Sequence, residues 1–112
     1  MRSMQNRLAE FYQMFTSLPC GVFHNIRSVN YPFLVWAETG EDGYASLHAG
    51  NHKTEQVITG VVDYYTRTEF DSIVDAIQTI LDDADRVAWE LDAVQYEDET
   101  GLLHYTWSWR LS

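Results

Sequence analysis

The chain has 112 residues, which is enough for one domain with a single buried core. Apolar residues make up 46% of it and aromatic residues 14%, and this composition argues against a disordered chain. Lys and Arg total 7 against 17 Asp and Glu, a formal net charge of −10. A surface of that charge repels phosphate backbones and disfavours sequence-independent binding to nucleic acid.

Two further features limit the class of protein. No apolar run is long enough to span a bilayer and no basic-then-apolar leader opens the chain, so we expect neither a membrane segment nor a signal peptide. Cys20 is the one cysteine, which rules out an internal disulfide and a multi-cysteine zinc site. We expect its thiol to be half-buried and inert.

The first predicted element is a helix from about residue 3 to 16. Apolar side chains recur on one face of it: Met4, Leu8, Phe11, Tyr12 and Phe15. Ser3 is a possible N-cap, and Pro19 ends the helix because proline disfavours helical geometry in the residue before it. This aromatic stripe could bind a partner, but burial in the core is the better interpretation.

The next segments form one strand and one long loop. Residues 22–30 read as a connector, with room for a short strand at Val22-Phe23-His24. A strand is predicted over about residues 32–38, with Pro32 at its start, where a missing N–H is tolerated. Residues 39–53 are rich in glycine and predict a loop, with a tight turn at Ala49-Gly50-Asn51-His52.

The central unit is a strand followed by a helix. Apolar and polar residues alternate to predict a strand over about residues 55–66. A helix is predicted from about 69 to 85, with Thr68 at its start and Asp71 and Asp75 facing water. Its apolar stripe should pack on the sheet: Phe70, Ile73, Val74, Ile77, Ile80, Leu81 and Ala84.

A hairpin is predicted over about residues 87–111. Its second strand places Leu103, Tyr105, Trp107, Trp109 and Leu111 on one face, which we expect to lie under the helices. The turn between the strands is polar, and Gly101 is the position expected to need positive φ. The sequence thus predicts a single α+β domain over residues 1–112. We expect one layer of mostly antiparallel sheet with helices packed on one face, in the order α-β-β-α-β-β.

A search for chemistry finds no catalytic, metal or cofactor motif. His48 and His52 are four residues apart, but they flank a glycine in a loop instead of sharing a helix face, so a zinc site is not expected. The paired carboxylates fall on a predicted solvent face and in a turn, where solvated charge is their usual role. Trp107 and Trp109 could form a base-stacking platform, but the surrounding charge is wrong for one.

The sequence resembles one known family. Three stretches carry the likeness: Tyr31-Pro32-Phe33-Leu34-Val35-Trp36, Val61-Val62-Asp63-Tyr64-Tyr65-Thr66 and Leu103-His104-Tyr105-Thr106-Trp107. A strand of this type leading into an acidic helix, with an aromatic hairpin strand near the C-terminus, is similar to the tail completion (tail terminator) proteins of long-tailed phages and prophages. The likeness extends over residues 21–111. The chain departs from the family at Asn51, near a turn where its members commonly carry an acidic residue.

This resemblance implies a structural virion protein without catalytic residues or cofactors. It implies a ring of subunits, a hexamer, at the head-proximal end of the tail, formed in the host cytoplasm during assembly. The ring would contact the tail tube protein and a head-side connector or stopper protein, and DNA would pass through its lumen without specific binding. An acidic lumen fits that passage.

Two other functions remain open at this point. One is a small acidic regulatory or inhibitor protein that binds a basic partner. The other is a hydrolase with an unrecognised site. The predicted loop at residues 39–53 is the candidate interface for assembly, because long loops are commonly functional. The candidate interface residues are Glu41, Asp42, Tyr44, His48, Asn51 and Lys53.

Overall fold

A computed structural model describes residues 1–112 and has an α+β fold. Its elements in chain order are helix α1 (Met4–Phe15), strands β1 (Gly21–His24), β2 (Phe33–Glu41), β3 (Leu47–Ala49), β4 (His52–Glu55) and β5 (Ile58–Thr66), helix α2 (Ser72–Asp83), and strands β6 (Val87–Glu97) and β7 (Leu102–Leu111). The predicted class is confirmed. The predicted order α-β-β-α-β-β is wrong, because five strands and not two separate the helices. The additional strands are three or four residues long, too short to show a clear alternating pattern.

The main sheet has five strands in the order β1-β2-β5-β7-β6. Every neighbouring pair is antiparallel except β1 with β2, which run parallel. Strands β3 and β4 form a separate two-stranded antiparallel sheet. The expectation that residues 39–53 form one loop is therefore wrong: β2 continues to Glu41, and β3 and the first half of β4 fall in the same stretch.

Helix α1 forms as predicted and contributes its aromatic stripe to the core. The Ser3 hydroxyl accepts a hydrogen bond from the Asn6 amide at 3.3 Å, which confirms the N-cap. Leu8, Phe11 and Phe15 are buried. The Phe11 ring lies 4.3 Å from the centroid of Trp109, so the stripe belongs to the core and not to a partner-binding face.

Strand β5 is central in the sheet and shows the predicted alternation. Ile58, Val62 and Tyr64 point toward the helices and are fully buried. The strand begins three residues later than predicted, because Glu55 ends β4 and residues 56 and 57 connect the two strands. It pairs antiparallel with both β2 and β7, so neither of its edges is free.

Helix α2 begins later than predicted, and its N-cap is Asp71 in place of Thr68. The Asp71 carboxylate accepts the Ile73 amide at 2.9 Å, the Tyr64 hydroxyl at 2.7 Å and the Thr66 hydroxyl at 2.8 Å. Asp71 was expected to face water, and this was wrong. Phe70 was expected in the core, but it has φ 53° and a side chain that is 93% exposed.

The buried residues of α2 and the tryptophans of the last strand follow the predictions. Ile77 and Leu81 are buried, as are Trp107 and Trp109 on the facing strand. The Trp107 indole N–H donates to Gln78 of α2 at 3.1 Å, which fixes the helix on the hairpin. The turn between β6 and β7 has Gly101 at φ +67°, as its position predicted.

Both helices pack on the same face of the main sheet, where they cover the larger core cluster. A second, smaller cluster of Phe33, Tyr65 and Leu102 lies on the opposite face. The molecule measures 55 × 24 × 24 Å, so it is more than twice as long as it is wide. Neither helix is long and apolar enough to cross a bilayer.

Candidate functional site

The predicted interface residues lie in and beside one projection, which we call the arm and define as residues 42–56. It consists of the turn at residues 42–46 and the β3–β4 hairpin. It leaves the main sheet at the edge where Glu41 of β2 pairs with Ile58 of β5. All three residues of β3 are exposed, and neither arm strand pairs with the main sheet.

The turn at the start of the arm is held by its own side chains. The Asp42 carboxylate accepts the amides of Tyr44 at 3.0 Å and Ala45 at 3.2 Å, which is an Asx-type turn. The Ser46 hydroxyl donates to the Asp42 carbonyl at 2.9 Å and accepts the Val57 amide at 3.1 Å. Because Asp42 also donates its amide to Val57, both ends of the arm are joined at its base.

A polar clamp fixes the base of the arm to helix α1. Glu41 accepts hydrogen bonds from Lys53 and, at 2.9 Å, from the side-chain amide of Gln56. Arg7 of α1 donates to the Gln56 carbonyl at 2.7 Å and to its side-chain oxygen at 2.9 Å. The hydrogen bonds from Lys53 and then Gln56 lower the pKa of Glu41.

The end of the arm is a tight turn, as predicted. Gly50 has φ 55° and Asn51 has φ 66°, and two consecutive positive values are the mark of a type I′ hairpin turn. Asparagine tolerates this conformation well, so Asn51 has a structural reason for its position. His48 lies opposite Lys53, and His52 lies opposite Ala49 on the facing strand. No group of three His, Cys, Asp or Glu side chains in the chain is arranged to hold a metal ion.

The six predicted interface residues fall into two groups. Glu41, Asp42 and Lys53 build the base of the arm, while Tyr44, His48 and Asn51 are exposed. Tyr44 is fully exposed, and Leu47 beside it is 54% exposed. Leu47 and Arg7 are the residues that sequence reasoning missed. The contact that gives Arg7 its role joins positions 49 residues apart, and no local pattern signals it.

A polar cluster of Asp63, His104 and Thr106 lies on the face of the sheet opposite the helices. The Nε2 atom of His104 lies 2.7 Å from the Asp63 carboxylate and 3.2 Å from the Thr106 hydroxyl, which donates to the same carboxylate oxygen at 2.9 Å. A nucleophile–base–acid relay needs the two partners on different ring nitrogens. Here both partners meet the same nitrogen, so the cluster does not have relay geometry.

Cys20 also lacks the features of a reactive thiol. It is half-buried, and burial followed by the nearby Asp71 charge raises its pKa to about 11. A thiol with that pKa is protonated at neutral pH and is a poor nucleophile.

Comparison with known proteins gives no independent assignment. No protein-family model matches the sequence, and no curated protein matches it.

Proposed function

We propose that the chain is a tail terminator or tail completion subunit of a long-tailed phage or prophage. In this proposal, copies of the chain form a ring, a hexamer, that caps the tail tube and joins it to the head connector or stopper. The observation that carries the proposal is the arm: an exposed hairpin with an outward tyrosine, mounted on a hydrogen-bonded base. The resemblance of residues 21–111 to the tail completion family points in the same direction.

The construction of the arm suits a protein that works by contact and not by catalysis. Its base is tied to α1 through Arg7 and Gln56, so the direction in which it projects is set before any partner arrives. Neither of its strands pairs with the main sheet, and all three residues of β3 are exposed and accessible to another protein. Tyrosine is a residue type that dominates interface energy, and Tyr44 is fully exposed.

The charge of the chain suits a ring through which DNA passes. With a formal charge of −10 per subunit, the walls of a lumen would repel the phosphate backbone. DNA could then move through the ring without adsorbing to it. No specific DNA contact is required of any residue in this proposal.

The test shortens the arm and keeps the hydrogen bonds of Gln56 with Arg7 and Glu41 at its base. It removes the ion pair between Lys53 and Glu41, which lies at the surface and contributes little to stability. Residues 48–54 are replaced by Asn-Gly, which connects Leu47 directly to Glu55 through a type I′ turn. These two residues already face each other in the hairpin. We expect an unchanged free energy of unfolding and an unchanged ring, but impaired joining of tails to heads in an assembly assay. Normal joining by the shortened protein would contradict the proposal.

A point substitution gives the matched control. Tyr44→Ala removes an exposed aromatic side chain from the arm, and Phe70→Ala removes one that is 93% exposed in the turn before α2. An interface anchor of this type contributes about 2 kcal/mol or more, so tail joining should fall with Tyr44→Ala. It should not fall with Phe70→Ala if the arm is the contacting surface.

A second function has an observation in its favour. The end of β6 and the turn after it carry Glu97, Asp98 and Glu99 in sequence, all exposed and none in an ion pair, and Leu91 and Val94 are exposed on the same strand. Such a surface fits a small acidic inhibitor that binds a basic partner. Light scattering separates the two functions, because a ring has several times the 13.0 kDa mass of one chain. An inhibitor would remain a monomer or dimer.

A further inference from the structure

Three arginines converge at the end of the molecule that carries the arm. Arg2 precedes α1, Arg7 lies in the first turn of α1, and Arg86 immediately precedes β6. All three line two neighbouring cavities of about 300 and 280 Å³. We call this region the arginine cleft. It brings together three of the seven cationic side chains of a strongly acidic protein.

Arg7 is the unusual member of the cleft, because it is only 4% exposed and has no carboxylate partner. Its two terminal nitrogens donate to the neutral Gln56, and its Nε finds no hydrogen-bond partner. Burying a charge without an opposite charge is costly, and an unpaired buried N–H adds to that cost. An anion bound in the cleft would supply the missing opposite charge.

The other two arginines differ from Arg7 in their partners. Arg2 pairs with Glu10 at an exposed site. Arg86 forms no ion pair and has φ 63°, a left-handed conformation that is uncommon for arginine. Glu55 and Asp85 also line the cavities, but neither lies within ion-pair distance of an arginine. The cleft therefore contains two guanidinium groups without a counter-ion.

We propose that the arginine cleft binds carboxylates, and that these come from the acidic turn of a second copy of the chain. That turn carries Glu97, Asp98 and Glu99, which are exposed and have no cationic partner. Arginine binds carboxylates through paired hydrogen bonds, so the two surfaces complement each other in charge and in geometry.

The position of the two surfaces requires contact between copies. Val87 pairs with Leu111 at the end of the sheet next to the cleft, whereas Glu97 pairs with Leu102 at the far end of the same hairpin. The acidic turn of one molecule therefore cannot reach its own cleft. A contact between two different surfaces is head-to-tail, and repeated contacts of this kind close into rings or extend into filaments. The inference rests on the proposed function only in requiring that copies associate.

The experiment measures self-association by sedimentation velocity over a range of protein concentrations. Arg86→Gly removes a cleft arginine and also relieves the left-handed backbone, so this variant should fold at least as stably as wild type. The turn variant combines Glu97→Gln, Asp98→Asn and Glu99→Gln. Arg110→Gln is the control, because Arg110 lies on the neighbouring strand but lines neither cavity.

We expect the dissociation constant to rise at least about tenfold for Arg86→Gly and for the turn variant, and to stay unchanged for Arg110→Gln. Excess inorganic phosphate should weaken wild-type association beyond the effect of sodium chloride at equal ionic strength. A mixture of Arg86→Glu protein with a protein carrying Glu97→Lys and Glu99→Lys should associate more tightly than either alone.

Other outcomes would overturn the inference. The inference fails if Arg86→Gly and the turn variant associate with the same dissociation constant as wild type. It also fails if the wild-type protein is monomeric at all concentrations. Loss with Arg86→Gly but not with the turn variant would show that the carboxylates come from elsewhere. Normal rings and tail joining by both variants would leave the proposed function standing without this contact. Conversely, charge-dependent pairing that never proceeds beyond dimers would support the contact and argue against the ring.

Discussion

Gly60 and Trp109 face each other across β5 and β7, and the indole ring of Trp109 fills the space where a side chain at position 60 would lie. A Cβ atom at Gly60 would stand 2.1 Å from Cζ2 of Trp109 and 2.4 Å from the carbonyl oxygen of Ala37. The backbone oxygen belongs to the neighbouring strand and cannot move aside without breaking the ladder. Because Gly60 has no side chain, the Trp109 ring can pack at this point between β5 and Phe11 of α1.

Gly60→Ala should therefore destabilise the protein by at least about 2 kcal/mol, because overpacking forces either the indole or the strand to shift. Chemical unfolding followed by circular dichroism measures the change. Gly43→Ala is the matched control, since no atom lies within 4 Å of a Cβ built there. Equal effects of the two substitutions would show that Trp109 does not depend on Gly60.

Substitutions on the two faces of helix α2 should differ in their effect on stability. Ile77 is fully buried against the sheet, so Ile77→Ala should lower the free energy of unfolding by about 2–4 kcal/mol by leaving a cavity. Asp75 is exposed, and Asp75→Ala should change the free energy by less than about 0.5 kcal/mol. Similar losses at both positions in denaturant titrations would mean that the faces of α2 are assigned incorrectly.

The lowered pKa of Asp71 should make the stability of the protein depend on pH. Burial alone would raise its pKa, but hydrogen bonds from Tyr64, the Ile73 amide and Thr66 together hold it below the ordinary value. Because the pKa is lower in the folded state, the contribution to stability is present above about pH 4, near the unfolded pKa. This contribution to stability is lost as the pH falls through the lower pKa that Asp71 has in the folded state.

Asp71→Asn tests this dependence, since asparagine has one acceptor oxygen and cannot accept the Ile73 amide and the two hydroxyls together as the carboxylate does. At pH 7 the variant should be about 2 kcal/mol less stable than wild type. The difference should shrink as the solution is acidified toward pH 3. Asp75→Asn, an exposed change in the first turn of the same helix, should show no such trend. A difference between wild type and Asp71→Asn that stays constant with pH would contradict the prediction.

The four tryptophans should differ in their access to solvent. Trp36, Trp107 and Trp109 are at most 1% exposed, whereas Trp89 is only partly buried and donates its indole N–H to Asp82 at 3.1 Å. Acrylamide should therefore quench mainly the fluorescence of Trp89, and Trp89→Phe should remove most of the quenchable fraction. Ready quenching of the remaining tryptophans would show that the aromatic face of β7 is exposed and belongs to an interface instead of the core.

Chelation should not change the thermal stability. His48 and His52 lie on facing strands of the arm and have no third ligand beside them, so no structural metal should contribute to folding. Thermal unfolding with and without EDTA measures this directly. A melting temperature that EDTA lowers by several degrees would indicate a structural metal bound in the arm.

Local pattern was enough to identify the regular elements that face the core. The alternation in β5 and β7 predicted which residues lie under the helices, because side chains of a strand point to opposite faces whatever the strand pairs with. The spacing in α1 and in the second half of α2 predicted their buried stripes for the same kind of reason. Ser3, Gly101 and the turn at Gly50-Asn51 were also predictable, since caps and tight turns depend on the residues within them.

The tertiary structure decided everything that depends on where distant segments meet. Phe70 has the spacing of a core residue, but Tyr64 and Thr66 hold the Asp71 carboxylate at the helix start, and Phe70 is exposed in the turn before it. The parallel pairing of β1, the bond from Arg7 to Gln56 and the packing of Trp109 on Gly60 each join segments far apart in sequence or direction. Periodicity reports which way a side chain points, but not which segment of the folded chain lies opposite it.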